Sequence, residues 1–170
     1  MKTITKFAIF GFLLIPILYA SSSVACTIIT ISNSRTVLFA GNQDWFPADS
    51  YLVVDNTGKY GVVFFAHQAK SYDLVMMKGI NEKGLSYDFN WIPKENLIPH
   101  PEKSPQFDWA LIIHMRDSNT VDEILQKLLT YNYGTSMDYQ IHLADKSGNA
   151  AVIYPGTDGE LAYTRKSKGN

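Results

Sequence analysis

The sequence predicts an α+β domain in which antiparallel strands come first, two helices follow and further strands close the chain. Three observations predict it. Short runs rich in Ile, Val and Thr, separated by turn residues, fill positions 27–91. A helical period then takes over, with Val121, Ile124, Leu125, Leu128 and Leu129 spaced to share one face. Beyond it, short strand-like runs separated by Gly-containing turns return over 139–164.

Positions 1–25 stand apart from that domain. Lys2 and Lys6 precede an apolar run over 7–19, and the small uncharged stretch 20–25 ends in Ser23-Val24-Ala25. This is the order of a secretory signal peptide. The apolar core, about a dozen residues, falls short of the ~20 that a membrane-spanning helix needs. The expected division is a signal peptide over 1–25 and one domain over 26–170, exported to an extracellular or periplasmic compartment after cleavage.

Within the domain, strands are expected at 27–32, 37–40 and 51–54, with Asn33-Ser34-Arg35 as the first turn and Asn56-Thr57-Gly58 following the third strand. Two more fall at 61–67 and 73–78. The turn Asn81-Glu82-Lys83-Gly84 then leads into a strand over 85–91. Prolines 93, 99, 101 and 105 argue for a loop over 92–105. Helices are expected at 106–116 and 121–129, the second opened by a capping box of Thr120 and Glu123. The closing strands, 139–144, 150–154 and 161–164, are joined by turns that contain Gly148, Gly156 and Gly159.

Charge and cysteine content narrow the function. Setting aside Lys2 and Lys6 takes the 15 basic residues to 13 against 16 acidic ones, a formal charge of about −3 with neutral His. There is no basic cluster, so nucleic acid is not an expected partner. Cys26 is the single cysteine of the 170-residue chain, so no internal disulfide can form. An exported free thiol is an oxidation liability unless it has a use.

Cys26 directly follows the Ser23-Val24-Ala25 cleavage signal. Cleavage there would leave it as the first residue, with a free α-amine. Such an amine has a pKa near ~7.7–8.0 and can serve as the base for the thiol beside it. The competing readings are a lipid anchor on Cys26, for which Ser23 is a poor consensus residue, and a cysteine kept only for packing. A second candidate lies at the end of the second strand, in Gly41-Asn42-Gln43-Asp44-Trp45. There Asp44 would lie on the strand beside Cys26, although Asn and Asp next to Gly are also ordinary turn formers. The third is the hairpin Lys78-Gly79-Ile80-Asn81-Glu82-Lys83-Gly84-Leu85-Ser86-Tyr87-Asp88-Phe89-Asn90-Trp91, in which the amide of Asn90 would be a sheet-end residue or an oxyanion donor. Trp45, Tyr87 and Trp91 flank these residues and would line an acyl pocket or pack across strands. His114 sits in an apolar helix, and His67, His100 and His142 lack metal spacing.

In order and spacing, Cys26-Thr27, Asn42-Gln43-Asp44 and 79–85 followed by Asn90 resemble the choloylglycine hydrolase family of N-terminal-nucleophile hydrolases. That family includes bile salt hydrolases, penicillin V acylases and acid ceramidase relatives, which cleave linear, non-peptide carbon–nitrogen amide bonds. The resemblance implies a four-layer αββα sandwich, Cys26 as nucleophile, Asp44 as the carboxylate that orients its amine and Asn90 as an oxyanion donor. It implies a small-molecule amide substrate and no metal or organic cofactor. The arginine that many members carry near the start of the strand-two motif has no counterpart around Ala40 and Gly41. The family's later Asn and Arg fall beyond Asn170, so the resemblance implies a C-terminally truncated version. Such a chain is expected to be a poor catalyst alone, to associate with itself or to require a completing chain. A non-catalytic exported protein, lipid-anchored or a remnant of the family, is the alternative.

Overall fold

The computed structural model describes residues 26–44, 49–68, 74–105 and 110–166. The proposed signal peptide and Trp45 lie outside the described residues. The chain runs β1 (Thr27–Ser32), β2 (Val37–Asn42), β3 (Ser50–Asp55), β4 (Val62–Gln68), β5 (Leu74–Asn81), β6 (Ser86–Asn96) and β7 (Ser104–Pro105). Helices α1 (Ala110–Met115) and α2 (Val121–Leu128) follow, then β8 (Tyr131–Asn132), β9 (Ser136–Ala144), β10 (Ala150–Pro155) and β11 (Leu161–Lys166).

Seven strands form one antiparallel sheet in the order β11-β10-β9-β6-β5-β4-β3. The central neighbours β6 and β9 are far apart in sequence, and the helices lie in the connection between them. Strand alternation sends Val62, Phe64, Leu85, Tyr87, Ile141, Leu143 and Ile153 to one face, where they pack against α1 and α2 in a single core. The opposite face carries a separate hairpin, β1 paired with β2. Its turn is fixed by Asn33, whose Oδ1 accepts from Arg35 N and Thr36 N at 2.8 and 2.9 Å. Three layers are therefore described, namely helices, large sheet and hairpin, where the family resemblance implies four. Among the described residues no helix is long and apolar enough to cross a membrane.

The hairpin covers only part of its face. Leu52, Val54, Phe65 and Ile80 share that side of β3, β4 and β5 by register and are exposed.

The helix termini are held by side chains from the sheet's turns. Thr120 caps α2 as expected, its Oγ1 accepting from Glu123 N at 3.2 Å. The return bond of the capping box is displaced by one residue, because Glu123 Oε2 accepts from Asn119 N at 2.8 Å. Buried Asp145, in the β9–β10 turn, accepts from Val121 N at 3.0 Å and so places a negative charge at the N-terminus of α2.

The expected loop over 92–105 needs correction. Strand β6 runs on through Pro93 to Asn96, and β7 pairs in parallel with β8. Pro93 is tolerated because it falls in the register gap between Trp91 and Glu95, where β6 is not in step with β9 and its missing N–H costs no ladder bond.

Candidate active site

Cys26 is half-buried and directly precedes β1. The β1–β2 ladder ends at the Thr27–Asn42 pair, so Cys26 and Gln43 are the residues next beyond it on the two chains. The ends of the two strands thus bring the first two sequence motifs together. Asp44 follows immediately, exposed, with its Oδ1 accepting from Asn42 Nδ2 at 3.0 Å.

The hairpin end meets the large sheet at three side chains. Gln43 Nε2 donates to Asp88 Oδ1 at 3.0 Å, and Lys78 Nζ donates to the Gly41 carbonyl at 3.0 Å. Lys78 Nζ is also 3.4 Å from Asp88 Oδ2. Asp88 is fully buried, and Oδ2 has no hydrogen bond of good geometry. Burial pushes the Asp88 carboxyl above the usual range, and Lys78, Phe89 N–H and Gln43 oppose that rise. Gly41 is required here, since a Cβ at that position would lie 1.9 Å from Asp88 Oδ2. The volume that an arginine near this position would need is filled by Asp88 and Lys78.

A β-bulge aims Lys78. Phe65 pairs with Lys78 and Ala66 with Met76, leaving Met77 as the extra residue. Met76 therefore packs toward the helices while Lys78, two residues on, points to the hairpin.

Asn90 lies two residues beyond Asp88 on β6 and shares its face. Its Oδ1 contacts His142 Nε2 at 2.7 Å. Burial holds the His142 imidazole below its ordinary pKa, so the neutral ring with its proton on Nε2 donates to Asn90. That contact fixes which way the Asn90 amide points and turns its NH₂ away from His142. A cleft of about 410 Å³ opens between β2 and the large sheet, lined by Phe39, Gly41, Phe65, Lys78, Ile80 and Asp88 among others.

The aromatic candidates fare differently from the polar ones. Tyr87 is among the residues that line the cleft, but its ring is buried in the helix-facing core and its OH donates to the Met76 carbonyl at 2.9 Å. Trp91 is half-exposed and stacks edge-on against Tyr139, which packs on that same core. Both flank Asn90 at odd spacing, so the pleat turns them away from it. The third motif is largely architectural. Gly79 leaves room for the Phe64 and Tyr87 rings, and Gly84 takes φ +81°. Asn81 is buried and donates to the carbonyls of Met115 and Ser118 at 2.9 and 2.7 Å, closing the end of α1.

Gln43, Lys78 and Asp88 stand inside the sequence motifs without a role of their own there, and His142 is noted only for lacking metal spacing. The available signal is alternation. A carboxylate inside an apolar strand, two residues from Asn90, must share its face.

No protein-family model and no curated protein matches the chain. Solved structures do. A variant of the conjugated bile acid hydrolase from Clostridium perfringens superposes with a TM-score of 0.62 at 17% identity, covering 84% of this chain and 51% of that one. The penicillin V acylase from Agrobacterium tumefaciens gives a TM-score of 0.55 at 20% identity, covering 83% of this chain and 49% of that one. This chain thus spans about half the length of each, and over that span it has the fold of the conjugated bile acid hydrolase and the penicillin V acylase.

Proposed function

We propose that this chain hydrolyses linear, non-peptide carbon–nitrogen amide bonds, with Cys26 as an N-terminal nucleophile after removal of residues 1–25 in export. The observation that carries the reading is positional. The only cysteine, which follows a signal-peptidase pattern, directly precedes the strand whose partner is followed two residues on by Asp44, in a fold shared with a conjugated bile acid hydrolase and a penicillin V acylase.

In the proposed reaction the α-amine takes the thiol proton, and sulfur attacks the amide carbonyl carbon. The oxyanion receives a hydrogen bond from the Asn90 NH₂. Collapse breaks the C–N bond, the α-ammonium returns its proton to the leaving amine, and a thioester remains on Cys26. Water, deprotonated by the same amine, then releases the acid and restores the thiol. Asp44 orients the α-ammonium, His142 holds Asn90, and the apolar part of the cleft at Phe39, Phe65 and Ile80 takes the acyl group. The chemistry calls for no metal or organic cofactor.

Intact-mass analysis of the protein recovered after export tests the first requirement. The expected mass is that of residues 26–170 with a free amine. A lipid-sized increment, or a start elsewhere, overturns the nucleophile assignment.

A further inference from the structure

A buried carboxylate is costly, and a buried ion pair is weak evidence of added stability. Asp88 stands in a strand whose neighbours on either side, Tyr87 and Phe89, pack apolar surface, and it meets the end of β2 just where Cys26 is held. We propose that the Lys78–Asp88–Gln43 cluster is the positioning device for Cys26, fixing the distance between that strand end and Asn90; the inference rests on the function proposed above.

The chain of contacts is short. Cys26 and Gln43 each stand one residue beyond the last ladder pair, Thr27–Asn42, and Gln43 is bonded to Asp88. Asp88 and Asn90 are two residues apart on one strand, a separation of roughly 7 Å set by the pleat. Lys78 completes the device in two ways. Its ammonium faces Asp88 Oδ2, and it holds the Gly41 carbonyl, so β2 is gripped at the backbone as well as at the Gln43 side chain. Gly41 permits the close approach, since any side chain there would displace the Asp88 carboxylate. Among the described residues β1 and β2 pair in the ladder only with each other, and these side chains tie the end of β2 to β5 and β6.

Gln43→Met keeps the length of the side chain and removes its hydrogen bond, leaving Asp88, Lys78 and the core untouched. Asp88→Asn is the second variant, which keeps an oxygen for Gln43 and Phe89 N–H and removes the charge facing Lys78. Three readouts are taken on the protein recovered from an exporting host that expresses the full chain. They are the nitroxide line shape of a spin label on Cys26, the kcat and KM for N-acyl p-nitroanilides, and the thermal midpoint. Because Cys26 is the only cysteine, the label reports that strand end alone.

In Gln43→Met the label is expected to become mobile well below the thermal midpoint. The kcat should fall about 10- to 100-fold with KM within about twofold, the cost of misplacing a reacting group by around 1 Å. Asp88→Asn should lie between wild type and Gln43→Met in both readouts. An unchanged line shape in Gln43→Met overturns the proposal whatever happens to the thermal midpoint, as does an unchanged kcat in a protein that hydrolyses the substrate. A wild type that hydrolyses nothing, yet whose label is mobilised by Gln43→Met, refutes the proposed function and leaves the positioning of the strand end established.

Discussion

The two faces of the seven-stranded sheet are built from the same strands but are put to different use. On the helix side, Val62, Phe64, Leu85, Tyr87, Leu143 and Ile153 are all at most 1% exposed and form one continuous core with α1 and α2. On the hairpin side, the same strands present Lys78, Asp88, Asn90 and His142 at the centre and exposed Leu52, Val54, Phe65 and Ile80 toward the β3 edge. The first face holds the fold together. The second spends part of its area on buried polar groups and an open cleft, which is where the proposed chemistry would take place. Odd and even positions of β6 thus do separate work, Tyr87 and Phe89 packing on the core while Asp88 and Asn90 face the hairpin side, where the site is proposed.

The largest expected effect comes from breaking the packed face. Leu143→Ala should cost about 2–5 kcal/mol in denaturant unfolding, because it opens a cavity in a region where the helices close over the sheet. On the outward side of the hairpin, Ile31→Thr should change stability by no more than about 0.5 kcal/mol, as expected for an exposed position. Equal losses at the two positions would mean that the hairpin's outer surface is as thoroughly covered as the core.

A comparable loss is expected where the packed face is stitched to its helices. Asn81→Ala should cost about 3 kcal/mol, since it orphans the Met115 and Ser118 carbonyls and the Lys83 and Leu85 N–H groups. Asn81→Asp should not rescue it, because the lost donor is what α1 requires. Rescue by Asp would show that only the turn, and not the end of α1, depends on this residue.

Acid titration separates the two faces by sign. On the helix side, burial tends to raise the Asp55 carboxyl, but hydrogen bonds from Thr57 and Arg116 and the Arg116 charge outweigh it and hold the pKa below 3.8. A depressed folded-state pKa gives stability that is present above the unfolded value and is lost as pH falls through the folded one. On the hairpin side, the raised pKa of Asp88 acts in the opposite direction: its contribution is present at acid pH and is lost as pH rises through that pKa. Unfolding measured from pH 2 to 7 should therefore show a shallower acid loss in Asp55→Asn and a steeper one in Asp88→Asn, each relative to wild type. Parallel slopes in the two variants would contradict the assignment.

Much of the fold is legible in the sequence because it rests on local periodicity. The first strand is found where expected, at Thr27–Ser32, and α2 begins at Val121 behind its Thr120 cap. Strand ends are less legible, since β6 is prolonged past Pro93 by a register gap that only its partner β9 creates. Of the proposed site, Cys26, Asp44 and Asn90 are legible from motif and position. The Asp88–Lys78–Gln43 cluster is not, because it is made by a bulge at Met77 and by the docking of one hairpin on one face. Of the two readings open for Tyr87 and Trp91, acyl pocket or cross-strand packing, packing describes both rings, while Tyr87 also borders the cleft.

The central claim is that Cys26 forms an acyl-enzyme, and a single-turnover burst tests it most directly because it requires only the first half of the reaction. Exported protein is mixed in excess over an N-acyl p-nitroanilide, and p-nitroaniline release is followed together with the mass of the protein. The account predicts prompt release, at most one equivalent per chain, with the acyl mass on Cys26 and neither signal in Cys26→Ala. Release that persists in Cys26→Ala, or a wild type that neither releases p-nitroaniline nor gains the acyl mass, would contradict it.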